Sequence, residues 1–159
     1  MKKIITLSQF NQLKKNLKGK KIVLVGGCFD LFHFGHLSFL KKAKKTGDSL
    51  IIALESDEFI KKNKKREPVH NQQQRAEILS QLEIVDLIIK LPFFNKDEDY
   101  LSMVKLIKPH TIAVSENDPQ IKNKLKQAKE INAQLKIVCP LIDNFSTTKI
   151  LKKLKLLKL

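Results

Sequence analysis

Apolar positions in this chain fall into two rhythms. Short β-branched runs without strict alternation recur at 20–27 (KKIVLVGG), 50–56 (LIIALES), 85–91 (VDLIIKL), 111–115 (TIAVS) and 135–139 (LKIVC), which is the pattern of strands buried on both faces. Between them, at 35–46, 72–83, 98–107 and 119–132, apolar residues return at helical spacing. Strand and helix in alternation predict an α/β, Rossmann-like fold, a parallel five-stranded sheet with helices on both faces. Ahead of the first strand, Leu7, Phe10, Leu13 and Leu17 share one face of a short helix over 7–17, with Ser8 as its N-cap and Gly19 as its end. The tail KILKKLKLLKL (149–159) is basic and amphipathic, part of a helix expected over 146–157 that packs on the domain or on a second subunit. Nothing in the spacing suggests a repeat or a second unit, so 1–159 is expected to be one domain.

Composition narrows this further. With 159 residues, 42% hydrophobic and 30% charged, the chain has the mixture of a globular core rather than of a disordered, collagenous or disulfide-stapled protein. A formal charge of +15 predicts a surface that attracts anions. Only Arg66 and Arg75 are arginines, however, and specific phosphate or base readout favours the bidentate guanidinium fork. The lysines are scattered over every helix, Tyr100 is the single tyrosine, and no tryptophan is present for base stacking. A nucleic-acid partner is therefore not expected. Cys28 and Cys139 stand apart, the start does not resemble a secretion signal, and no apolar run approaches the roughly 20 residues that span a bilayer. The expectation is a cytoplasmic protein with free thiols and no membrane contact.

In an open α/β sheet, ligands bind beyond the carboxyl ends of the strands where the strand order reverses. The segment after the first strand reads Gly26-Gly27-Cys28-Phe29-Asp30-Leu31-Phe32-His33-Phe34-Gly35-His36 and runs directly into a helix. Glycines let backbone approach a ligand closely, and a helix N-terminus offers N–H groups and a favourable dipole to a phosphate. Imidazoles three residues apart point the same way and can donate to phosphate oxygens. The spacing matches neither a P-loop nor a dinucleotide fingerprint. Metal ligation by this segment is not expected, because no further Cys or His close by completes a zinc set. His70 and His110 are expected at the surface.

HFGH at 33–36 after GGCFDLF resembles the HxGH signature of the nucleotidyltransferase (cytidylyltransferase-like) superfamily. Three further stretches are similar in order: KKREPVHNQQQRAEIL (64–79), VDLII (85–89) and FSTTKI (145–150). The resemblance implies attack by a phosphorylated small molecule on the α-phosphorus of a nucleoside triphosphate, with release of pyrophosphate and no covalent enzyme intermediate. It implies that His33 and His36 steady the transition state, with Gly27, Cys28, Phe29, Asp30 and Gly35 around the nucleotide. Lys44, or lysines of the basic run such as Lys64 and Lys65, would hold phosphates, and Arg75 would reach the same region. Ser146, Thr147 and Thr148 would bind the β- and γ-phosphates at a helix start, and Asp118 would serve the nucleoside from the loop after the fourth strand. Magnesium would bridge the triphosphate, and relatives are commonly dimers.

GCFD, REPV and NFSTT are most similar to bacterial enzymes that adenylylate a heptose 1-phosphate, whereas SDEF (56–59) and STTKI (146–150) resemble glycerol-3-phosphate cytidylyltransferase. The loop at 114–119 reads VSENDP, without the family's usual glycines, and residues 142–145 (IDNF) lack the arginine and glycine of the cytidylyl branch. ATP and CTP both stay open on these residues, as do a relative that binds nucleotide without turnover and a non-catalytic nucleic-acid binder. The run KKNKKR (61–66) is expected as a mobile basic loop, either simply solvated or closing over a triphosphate to exclude water and add positive charge.

Overall fold

The computed structural model describes residues 3–116, 118–140 and 146–156. Asn117 and residues 141–145, which include the IDNF stretch, lie outside the described residues, as does the expected final helical position 157. In chain order the elements are β1 (Ile4–Thr6), a helical segment whose middle turn is α1 (Phe10–Leu13), β2 (Ile22–Gly27), α2 (Phe34–Lys44), β3 (Ser49–Leu54), α3 (Asp57–Lys64), α4 (Gln72–Ser80), β4 (Leu87–Lys90), α5 (Asp97–Ile107), β5 (Thr111–Ser115), α6 (Ile121–Glu130), β6 (Gln134–Cys139) and α7 (Thr147–Leu156).

The strands form one parallel sheet in the order β1-β4-β3-β2-β5-β6. The α/β expectation holds, with six strands rather than five. The extra strand is β1, three residues that add to the β4 edge through Ile4 opposite Ile88 and Ile5 opposite Ile89. A run so short carries no readable period. The chain builds β2, β3 and β4 outward in one direction and then returns to place β5 on the other side of β2, so the order reverses at β2.

Side-chain alternation sorts the apolar residues onto two faces. Ile22, Leu24, Ile51 and Ala53 pack with Phe10, Met103, Val104 and Ile107 on the side of α1, α5 and α6. Val23, Val25, Ile52 and Leu54 pack with Leu40, Ala43, Ala76 and Leu79 on the side of α2 and α4. β3 is buried at every position, as its uninterrupted apolar run requires. β6 departs from that pattern. It is an edge strand, and Ile137 is 56% exposed.

Two further expectations change. The 7–17 helix is a 3₁₀ turn, one α-turn and a second 3₁₀ turn, with Phe10 and Leu17 buried and Gln9, rather than Ser8, closing its start by accepting from the Thr6 amide at 3.0 Å. Gly19 does end it, at φ +80°. The run 61–66 is also not a free loop. Residues 61–64 form the last turn of α3, whose start is capped by Ser56 Oγ accepting from the Phe59 amide at 3.1 Å, with Asp57 and Glu58 in the first turn and lysines in the last.

Candidate functional site

The loop from β2 to α2 crosses the carboxyl edge of the sheet where the strand order reverses. Two of its non-glycine residues take left-handed backbone conformations, Phe29 at φ 47° and Leu31 at φ 49°. Each such residue costs about 1–3 kcal/mol and persists only where surrounding contacts hold it. A Cβ on Gly27 would sit 3.1 Å from the Phe29 ring, tighter than an ordinary contact, so a side chain there would require that ring to give way.

Those contacts form a clasp. The Asp30 carboxylate is 1% exposed and accepts from the Val69 amide at 3.0 Å, the His70 amide at 3.0 Å and Arg66 Nη1 at 2.5 Å. Burial alone would raise its pKa, but the two amides and the guanidinium more than offset that and hold it below the usual carboxylate range. Arg75, also buried, donates to the Cys28 carbonyl at 2.6 Å, the His70 carbonyl at 3.0 Å and Asp57 Oδ1 at 2.7 Å. Thr147 Oγ1, in the first turn of α7, donates to the Asp30 carbonyl at 2.7 Å. Residues far apart in sequence therefore lock one loop.

The loop delivers His33 as the N-cap of α2, in extended conformation, and His36 one turn further on. Their rings stack at 3.7 Å between centroids, 21° apart, and His36 also packs against Phe29 and Phe32 at 5.2 and 5.6 Å. Both nitrogens of His33 and Nδ1 of His36 are buried without a hydrogen-bond partner among the described residues. Burial, with the charge of His33, holds the His36 pKa down to about 3 against a weaker pull from Asp30, and burial lowers His33 as well. At neutral pH both rings are uncharged, each with one N–H to donate. Buried polar groups in native proteins are rarely left unpaired, and the exceptions mark ligand sites or strain.

The expected site residues divide into three groups. His33, His36, Gly27, Cys28, Phe29 and Gly35 share the loop and helix mouth, Thr147 is docked onto it, and Ser146 and Thr148 flank Thr147. Lys64, at the end of α3, is near enough to Cys28 to bias its thiol downward, while Lys65 is the exposed left-handed cap of that helix. Asp30 and Arg75 lie at the site, but their polar atoms are spent on the clasp, so they shape the loop rather than reach for phosphate.

One assignment needs correction, and a second is constrained. Lys44 sits at the far end of α2, eight residues or about 12 Å from His36, where it donates to Asp86 Oδ2 and the Asp48 carbonyl at the amino edge of the sheet. It cannot serve the same phosphates. Asp118 is held by Lys124 at 2.7 Å and by the Gln120 amide at 2.8 Å, which leaves it less free for a nucleoside than its loop position suggests. Nor is His70 a plain surface residue, since its Nδ1 is buried without a partner.

A second cluster on the same edge was absent from the sequence reading. Glu55, directly after β3, is buried, with Tyr100 Oη of α5 donating to Oε1 at 3.0 Å and Oε2 unpartnered among the described residues. Burial pushes its pKa up to about 7, against the stabilising pull of Tyr100, Lys124 and Arg75. Burial, and next to it Glu55, pushes the Cys28 thiol up to about 11, which leaves it a poor nucleophile. The signal in the sequence was one acid ending an apolar run, LIIAL-E.

Hollow size does not locate this site. Two hollows of about 400 and 570 Å³ lie elsewhere, one by Lys42, Lys45 and Lys136, the other by Lys3, Gln9, Gln73 and Lys90. Neither holds convergent buried polar groups. Among the described residues no helix is long and apolar enough to cross a membrane.

Comparison with known proteins agrees with the geometry. A family model described as cytidylyltransferase-like matches residues 24–154. The chain is 38% identical over 155 residues to the bifunctional protein HldE of Aliarcobacter butzleri, covering 96% of this chain and 31% of that protein. It is 37% identical over 154 residues to the HldE of Helicobacter hepaticus, covering 96% and 30%. The chain thus spans about a third of the length of these curated relatives. Among solved structures, a lipopolysaccharide core biosynthesis protein from Thermoplasma volcanium superposes with a TM-score of 0.63 at 27% identity, covering 77% of this chain and 97% of that one. A pantoate-beta-alanine ligase from Francisella tularensis, at 21% identity and a TM-score of 0.64 over 98% of this chain and 78% of that one, shares the fold. The chain belongs to the cytidylyltransferase-like family.

Proposed function

We propose that this member of the cytidylyltransferase-like family is a nucleotidyltransferase that moves a nucleoside monophosphate from ATP or CTP to a phosphorylated sugar or polyol, with adenylyl transfer to a heptose 1-phosphate favoured. A phosphate oxygen of the acceptor bonds to the α-phosphorus, the bond to the bridging oxygen breaks, and pyrophosphate leaves with that electron pair. The observation that carries this reading is the stacked imidazole pair, with three buried unpartnered nitrogens at the mouth of α2. The extensive similarity to the HldE proteins, and the lipopolysaccharide core biosynthesis named for the Thermoplasma structure, support an activated sugar as the product.

In this mechanism the protein positions the reactants and neutralises charge, and little else is needed. His33 and His36 donate to the α-phosphate oxygens as charge accumulates there. A triphosphate beside them opposes the burial that depresses both rings, so binding makes the imidazoles easier to protonate. Gly27, Cys28 and Phe29 bring backbone against the same phosphate. Lys64 and Lys65 add positive charge, and Ser146, Thr147 and Thr148 take the β- and γ-phosphates at the start of α7. A magnesium ion brought with the triphosphate would supply further neutralisation of phosphate charge; among the described residues no three acidic, His or Cys side chains converge to hold it, and Asp30 is already claimed by the clasp. The protein acts in the cytoplasm, as a dimer, on small molecules rather than nucleic acid.

The test is pyrophosphate release with ATP and with CTP, in magnesium, against heptose 1-phosphate, glycerol 3-phosphate and other sugar and polyol phosphates. Turnover with ATP and a heptose 1-phosphate is the expected result. Turnover with CTP and glycerol 3-phosphate would move the assignment to the cytidylyl branch, which SDEF and STTKI favour. Nucleotide binding without pyrophosphate release from any acceptor would refute transfer.

A further inference from the structure

The transfer chemistry above makes no use of Glu55. Leu54 pairs with Gly27 in the β2–β3 ladder, and the Glu55 amide donates to the Gly27 carbonyl at 3.1 Å. Glu55 therefore stands beside Cys28, one strand spacing or about 4.8 Å across the sheet edge. It continues the alternation of Ile51 and Ala53, so its side chain leans to the α5 and α6 face, where Tyr100 packs. Phe29, which packs at a tilt against His36, belongs to the opposite face. Glu55 is 7% exposed, yet one carboxyl oxygen has no partner among the described residues. Burying a carboxyl with an unpaired oxygen is costly, and an apolar residue would serve packing better.

We propose that Glu55 Oε2 accepts a hydrogen bond from a hydroxyl of the phosphorylated sugar or polyol, which makes Glu55 a specificity-determining residue and Tyr100 the residue that positions it. The proposal rests on the transfer reaction above. An in-line displacement puts the entering and departing oxygens on opposite sides of the α-phosphorus. Thr147 is fixed to the Asp30 carbonyl, and the Asp30 side chain is clasped by the segment leading into α4, so the phosphates assigned to α7 depart on the α2 and α4 face. The acceptor then enters from the other face, over Glu55 and Tyr100. A site built to pair a hydroxyl rejects an analogue lacking it far more strongly than an apolar pocket does, because its own polar group is left unpaired.

The experiment is isothermal titration of wild type, Glu55→Gln and Tyr100→Phe with ATP alone, with heptose 1-phosphate and with glycerol 3-phosphate, alongside thermal melting. Gln keeps an oxygen for Tyr100 and puts an amide where the free oxygen stood. The expected result is acceptor affinity on the order of 10- to 100-fold weaker in Glu55→Gln, ATP affinity within about twofold and melting not lowered. Tyr100→Phe removes a hydroxyl that favours the ionised carboxyl, so it weakens acceptor binding less and moves the pH midpoint of that binding upward, which lost packing alone would not do. Should Glu55→Gln melt early, the Tyr100→Phe pH profile decides the matter. Equal weakening toward ATP would assign Glu55 to the ribose and overturn the proposal, as would unchanged acceptor affinity. A wild type that binds and transfers to an acceptor while Glu55→Gln does so equally well sinks this inference alone, whereas a wild type that binds ATP and no acceptor sinks the transfer reading and this inference with it.

Discussion

The two edges of the sheet treat polar side chains in opposite ways. At the amino edge they are spent: Asp48 accepts from the Lys21 amide at 2.8 Å, Asp86 from the Leu50 amide at 2.7 Å and from Lys44, and His110 Nδ1 from the Ile22 amide at 3.2 Å. At the carboxyl edge His33, His36, Glu55 and His70 each bury a polar atom that nothing among the described residues satisfies, and Phe29 and Leu31 hold strained backbone between them. Among the described residues Ser49 is the amino-edge exception. Both edges are made from the same strands, so the difference is not one of fold. A closed hydrogen-bond inventory stabilises the apo protein, whereas an open one stores unmet bonds that a ligand can complete.

The comparison breaks first at His36. His36→Ala is expected to lower turnover on the order of 10²–10³, about 2.7–4 kcal/mol of barrier, with the fold intact and a melting temperature lowered only by the lost ring packing on His33, Phe29 and Phe32. An unchanged rate would empty the carboxyl edge of its assigned chemistry. Next comes the satisfied part of that edge. Arg75→Ala strands Asp57 and the Cys28 carbonyl and should cost about 3 kcal/mol in urea unfolding, the low end for a buried pair because Asp57 is one-third exposed. A loss below about 1 kcal/mol would show that the clasp is not what holds the strained loop. At the amino edge Asp86→Ala should cost about 1–3 kcal/mol of stability and leave kcat unchanged. A fall in kcat there would return Lys44 to the phosphate site.

How much of this was visible beforehand follows the same division. The five long strands and the helices at α2, α4, α5 and α6 were readable because burial on both faces writes a continuous apolar run and burial on one face writes a 3.6-residue period. β1 was not, since three residues cannot display a period, and α3 was hidden by its lysines although Ser56, Asp57 and Glu58 spell a helix start. The imidazole pair was readable because its parts adjoin in sequence. The clasp was not, because Asp30, Arg66, Arg75 and Thr147 meet only through the fold, and a buried Arg75 is indistinguishable in sequence from one aimed at phosphate. Lys44 failed for a related reason: helix length, not spacing to a motif, decides which edge it serves.

The smallest effect is the most discriminating, because two carboxyl-edge groups pull stability in opposite directions over one pH window. The His36 pKa falls from about 6.5 unfolded to about 3 folded, so the folded state binds fewer protons between those values and stability is lost as the pH drops through them. His33, also lowered, adds to the same slope. The Glu55 pKa rises from about 4.5 to about 7, so the folded state binds more protons there and stability is lost as the pH rises. Each slope has a ceiling of about 1.4 kcal/mol per pH unit, and between roughly pH 4.5 and 6.5 they offset each other. The other groups facing Glu55 do not enter that window: Tyr100 and Cys28 are displaced upward, and Lys124 and Arg75 face it as cations. Asp30, displaced downward, matters only in stronger acid. Wild-type urea midpoints should therefore change less across the window than the histidine slope alone would make them. Relative to wild type, Glu55→Gln should gain stability steadily as the pH rises toward 7 and level off above it, while His36→Asn should gain as the pH falls below 6.5. Parallel profiles for all three proteins would mean that neither side chain titrates while buried, and the contrast between the edges would then lose its electrostatic half.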